Sequence, residues 1–170
     1  DPWVRLGGFG AHFSNDWDKI SCQTLQVATL LADQEIADLL LINAGENVTF
    51  VSRLRLVENI PVFYLNHFLL PRFNPEVFQQ AGNFFAIRHL LLEKFGVEVV
   101  SVKEELSAWK AEGELAQRLN VNEGDPVLAI TRTSLDDDYT PVEVVRYFAR
   151  TDKWQYRSML SKKNNVQLLP

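Results

Sequence analysis

The sequence predicts an α+β fold: about six antiparallel strands in one sheet, helices covering one face, and the whole unit internally duplicated. Three observations predict it. Runs that alternate apolar with polar residues are joined by hairpin-type turns, which favours antiparallel pairing. Short stretches with helical spacing lie between those runs. A shift of about 79 positions aligns one half of the chain with the other, a period too long for a solenoid and therefore a duplication within one domain.

The elements follow in order. Residues 1–18 read as an irregular, Gly-rich lead-in whose aromatics (Trp3, Phe9, Phe13, Trp17) dock on the core. Phe13 and Ser14 either border a pocket or serve as a hydrophobic peg and a turn serine. The domain proper is expected over 19–156. Lys19 to Leu31 reads as a strand. Asp33 to Leu41 has helical spacing, with Ile36, Leu39 and Leu40 on one side, and Asn43–Ala44–Gly45 supplies a stop. Val48 to about Leu70 reads as a hairpin turning at Val57–Glu58–Asn59–Ile60–Pro61.

Pro71 to Gly82 is a connector with a short amphipathic piece, Pro75 to Gln80. Phe84 to Phe95 has the spacing of a helix, with Asn83 as N-cap and Gly96 as stop. Val97 to Ala108 reads as extended and Lys110 to Leu119 as a short helix. Pro126 to Leu135 and Pro141 to Arg150 form a second hairpin around the acidic run Asp136–Asp137–Asp138. That run reads as a solvated tip, since three adjacent aspartates are not expected to face one ion. From Asp152 the chain becomes polar, and 157–170 reads as a tail.

The repeat pairs Ala32 with Ala111, Glu35 with Glu114, Ala37 with Ala116, Leu40 with Leu119, Gly45 with Gly124 and Arg53 with Arg132. One residue is then gained in the turn, so Pro61 meets Pro141. A ligand is expected between the sheet and the covering helices, where the halves meet.

Composition narrows the function. With 170 residues, 46% hydrophobic and 23% charged, the chain can bury one core. A net charge of −5 argues against a nucleic-acid surface on this piece. The sequence shows no apolar run long enough to span a membrane and no secretory signal pattern, and its single cysteine, Cys22, fits a reducing, cytoplasmic setting. His12, His67 and His89 share no spacing with carboxylates or with Cys22, so neither a metal site nor a cofactor is expected. The chain begins Asp1–Pro2 and its only methionine is Met159, which suggests a fragment or a processed chain.

In the strand Val48–Val57, Arg53 and Arg55 stand two residues apart and so share a face. Two planar forks of donors make a natural anion receptor; alternatively both pair with surface carboxylates. On the later strand Glu143, Val145, Tyr147 and Ala149 share a face, so Tyr147 points where Glu143 points. Arg132 reads as an ion-pair partner.

The run ELSAWKAEGELAQRLNVNEGDPVLAITRTSLDDDYTPVEVVRYFARTD, with L-x-V-x-x-G-x-P-V-L-x-I-x-R from Leu119 to Arg132, then P-V-E at Pro141–Glu143 and Arg150–Thr151–Asp152, resembles the UTRA domain. That domain is the effector-binding part of GntR-family transcriptional regulators of the HutC subfamily. The resemblance covers roughly Phe13 to Tyr156. It implies a chorismate lyase-like fold, a homodimer and a winged helix-turn-helix domain preceding this one and absent from this chain, through which alone DNA would be bound. It implies that Arg53 and Arg55 bind the anionic group of an effector and that Glu143 bonds its hydroxyls. The effector would be a sugar phosphate, phosphonate, organic acid or amino-acid derivative.

Three positions depart from the family pattern. Leu65 stands for a second glutamate, Ala86 for a phosphate-cradling serine, and Ala149 for a pocket-closing tyrosine. Tyr147 would partly replace that ring. Arg88, near a helix N-terminus, either donates to an anion there or is an exposed helix arginine. An enzyme of the chorismate lyase type and a ligand-free dimerisation module are the alternatives. The arginines are expected to be replaceable by alanine with little loss of stability.

Overall fold

A computed structural model describes Gly7–Gly8 and residues 19–158. The expectations for Trp3, Phe9, Phe13, Ser14, Trp17 and most of the tail fall outside the described residues. The elements are β1 (Gly7–Gly8), β2 (Ile20–Leu31), α1 (Gln34–Leu40), β3 (Asn47–Val57), β4 (Ile60–Leu69), α2 (Pro75–Ala81), α3 (Ile87–Phe95), β5 (Ser101–Lys110), α4 (Glu114–Leu119), β6 (Pro126–Leu135), β7 (Pro141–Ala149) and β8 (Arg157–Ser158). Six strands form one antiparallel sheet in the order β2-β3-β4-β7-β6-β5, and β1 pairs with β8 separately.

The sheet order displays the duplication. Each half contributes three adjacent strands, and β4 pairs with β7 at the centre. The repeat mates Asn66 and Arg146 are cross-strand partners, so a pseudo-two-fold passes between them. The loops agree atom for atom. Ala32 and Gly45 exchange backbone bonds with the turn as Ala111 and Gly124 do, and Leu41 and Asn120 both adopt left-handed backbone at φ 56° and 53°.

Several boundaries differ from the sequence reading. The first helix stops at Leu41, not at Gly45, which instead turns the chain into β3. Helix α3 begins at Ile87 with Ala86 as its cap, and the Asn83 side chain instead accepts a bond from the Thr24 backbone N–H at 2.9 Å. Apolar spacing in Phe84–Phe95 is shared by a helix and by the two residues that lead into it, so periodicity alone cannot place the start. β5 begins at Ser101 and extends through Lys110. Trp154, within the stretch read as polar, is buried against Val57, Phe63 and Tyr147.

Helices also cover both faces, not one. α1 packs on Val48 and Val144, and α4 packs near Tyr64 and Phe148. α2 and α3 pack on Val51 and Leu69, whose side chains point the opposite way. The face beneath α2 and α3 carries Arg53, Arg55, His67, Glu143 and Tyr147.

Candidate functional site

Cross-strand register assembles the site. Arg53 lies opposite Leu65, which lies opposite Tyr147; one step along, Val51 faces His67, and His67 faces Val145. Glu143 faces Ser134 on β6. Arg53, Arg55 and His67 therefore come from the first half, and Glu143, Ser134 and Tyr147 from the second.

Arg53 is 2% exposed although it carries a charge. Its guanidinium donates to the carbonyls of Phe84 and Phe85 and lies 3.9 Å from the Phe84 ring centroid. Arg55, half-buried, donates to Phe85 O at 3.2 Å and lies over that residue's ring at 5.0 Å. Both make donor and cation–π contacts to the connector between α2 and α3. Thr24 ties the same connector from β2, its hydroxyl donating to Gly82 O at 2.6 Å. Cys22, the cross-strand partner of Arg55, places Sγ 3.7 Å from Phe85 O.

Burial is the largest influence on Arg53 and lowers it to about 10, with Arg55 adding repulsion against the opposing effect of Cys22 and Glu143. It still carries its charge at neutral pH. Among the described residues neither Arg53 nor Arg55 makes an ion pair with a carboxylate, and the Nε of each is buried without a partner. Among the described residues, neither therefore pairs with a surface carboxylate, the alternative reading of the sequence. Arg132, their repeat counterpart, behaves as expected. It donates twice to Glu104 Oε1 at 3.0 and 2.6 Å, and Tyr156 holds the other oxygen.

Glu143 is buried and its oxygens are both engaged. Oε2 meets His67 Nδ1 at 3.0 Å, and Oε1 accepts from Ser134 Oγ at 3.2 Å. Local spacing offered His67 no carboxylate, and the one it meets stands 76 positions away and is reached only through sheet register. The signal for His67 was its parity with Leu65 on β4, which points it to the arginine face once the hairpin register is known. Burial lowers the His67 imidazole below 6.5, Glu143 opposes that, and Arg53 and Arg55 reinforce it. Its Nε2 is buried without a partner.

Tyr147 is buried edge-on to Phe63 at 5.7 Å, and burial raises its phenol to about 12, so it remains a neutral hydroxyl. Arg88 is half-buried. Burial lowers it first and Arg132 next, while Glu143 opposes, which places its charge in electrostatic reach of both. Ala86 caps α3 without a side-chain bond, and Ala149 is fully buried. Phe13 and Ser14 lie outside the described residues. The aspartate run forms a largely exposed loop tip, as expected, in which Asp136, Asp137 and Asp138 each bring one oxygen within 4.8 Å of the others. Asp136 Oδ1 already accepts from the backbone N–H groups of Asp138 and Thr140, which closes the tip.

The chain is a duplicated antiparallel sheet that carries, on one face, a buried and a half-buried arginine without a carboxylate partner among the described residues. The UTRA domain model matches residues 18–155, and the chain belongs to that family. The ligand-binding domain of a protein described as a GntR-family transcriptional regulator from Bordetella bronchiseptica superimposes with a TM-score of 0.77 at 30% identity, covering 84% of this chain and 91% of that one. PhnF from Mycobacterium smegmatis superimposes at 0.76 with 17% identity, over 85% of this chain and 64% of that one. A transcriptional regulator from Streptomyces coelicolor does so at 0.73 with 24% identity, over 85% and 95%. The HTH-type transcriptional regulator Rv0792c of Mycobacterium tuberculosis is 32% identical over 69 residues, 41% of this chain; the match spans about a quarter of that relative, 26%. The chain is thus a ligand-binding domain of the GntR-regulator type. No helix among the described residues is long and apolar enough to cross a membrane.

Proposed function

We propose that this domain senses a small anionic metabolite through Arg53 and Arg55. The reading rests chiefly on one observation: two neighbouring guanidiniums withdrawn from solvent, without a carboxylate partner among the described residues, each with an unmet Nε donor. An incoming anion supplies charge-assisted acceptors in a setting of low dielectric, where they count most. Arg88 and Tyr147 border the same face, and Phe13 and Ser14 are candidates from the lead-in. The effector class is a sugar phosphate, phosphonate, organic acid or amino-acid derivative.

The mechanism follows from what the guanidiniums already hold. An anion that takes donors from the Phe84 and Phe85 carbonyls loosens the connector before α3, the helix that joins the two halves. Ligand and connector then compete for one set of donors, which gives the differential affinity that a switch requires. In the full regulator, a cytoplasmic homodimer of the HutC type, this shift is transmitted to an N-terminal winged helix-turn-helix domain that binds DNA, whether it represses or activates. The domain itself, 19–156, catalyses no reaction.

A thermal-shift screen over anionic metabolites tests the reading with Arg55→Ala as control. At a hundredfold excess over Kd a ligand stabilises by about 2.7 kcal/mol, and Arg55→Ala should lose most of that gain. Arg55 is preferred to Arg53 because its side chain is less buried. A full shift retained by the variant would overturn the role of the arginines.

A further inference from the structure

Three buried nitrogens on one sheet face lack partners: Arg53 Nε, Arg55 Nε and His67 Nε2. The first two are guanidinium N–H donors. The third depends on tautomer, and its neighbours fix it. Glu143 receives Ser134 Oγ on one oxygen and meets His67 Nδ1 on the other, so the proton sits on Nδ1 and is donated to the carboxylate. Nε2 is then left with a bare lone pair. Arg53 and Arg55 on β3 lie in electrostatic reach of the ring, and each oxygen of Glu143 on β7 already accepts one hydrogen bond.

We propose that His67 Nε2 is the specificity-determining acceptor of this site, and that the ligand is a small anion bearing a hydroxyl beside its charged group. The proposal rests on the anion reading above and deepens it. The hydroxyl donor must be neutral, because two guanidiniums repel an ammonium group. His67 presents the open acceptor: Nε2 has no partner, whereas each Glu143 oxygen already accepts one bond, from the imidazole and from Ser134. An anion without the hydroxyl leaves a buried acceptor unmet, and binding sites discriminate strongly on that ground.

Calorimetric titration with matched pairs provides the test: lactate against propionate, glycerophosphate against propyl phosphate, and hydroxymethylphosphonate against ethylphosphonate. The wild-type domain should bind the hydroxylated member of at least one pair tenfold or more tightly. His67→Asn keeps an amide N–H where Nδ1 stands and removes the atom at Nε2, so it should bind both members alike. Equal binding of both members by the wild type, in every pair that binds, overturns the role of His67 and leaves the arginines in place; discrimination retained in His67→Asn does the same. No binding in any pair counts against the anion reading itself. If His67→Asn fails to fold, long-range proton–nitrogen NMR on the wild type decides. A protonated Nδ1 and bare Nε2 at neutral pH are expected, and a protonated Nε2 overturns the proposal.

Discussion

At Arg53 charge and enclosure meet. The side chain carries a positive charge, yet it is 2% exposed. Backbone carbonyls and an aromatic face supply part of the lost hydration, and Nε receives none of it. Burial argues against the expectation that alanine could replace Arg53 at little cost, because its removal would leave the Phe84 carbonyl without its Arg53 donor, while Phe85 O keeps Arg55. His67 shows the same tension with the opposite outcome, since burial keeps it neutral. The unfolded chain takes up a proton near 6.5 while the folded chain resists it, so stability is complete above that pH and declines as pH falls below it. Melting temperature should drop between pH 7 and pH 5, and His67→Asn should flatten part of that slope. An unchanged slope in the variant would show that His67 titrates normally.

Among the elements, the repeated loops offer an internal comparison. Leu41 and Asn120 are repeat mates that both end a helix in left-handed backbone, but only asparagine tolerates it well. Leu41 is 76% exposed, so its side chain contributes little burial. Leu41→Asn should raise stability by about 0.5–1 kcal/mol, read from urea denaturation; a loss would mean that the Leu41 side chain packs in a way its exposure conceals. The hairpin turn behaves similarly, with Glu58 and Asn59 at φ 49° and 64°. The sequence placed this turn within Val57–Pro61; the structure narrows it to two residues with positive φ, which a two-residue turn between strands of right-handed twist requires. The start of α3 was not legible, because Asn83 is as good a tether for Thr24 as it is an N-cap.

Across the whole molecule, the connector at 82–86 links the site to the pseudo-two-fold. It carries the carbonyls held by Arg53 and Arg55 and passes directly into the helix that bridges the halves. Hydrogen exchange measured with and without a bound anion should change at 82–87 and at Thr24, while the central β4–β7 pair stays equally protected. No change at the connector would separate binding from switching. The sequence by itself determined the antiparallel strands, the two hairpins, the duplication and the shared face of Arg53 and Arg55, since each depends on period, turn residues or fixed offset along one stretch of chain. Only the tertiary structure decided that helices cover both faces, that the arginines hold a backbone segment instead of a carboxylate, and that His67 meets Glu143. Those facts depend on which strands pair across the two halves and in what register, and neither is written in the spacing of residues within a single element.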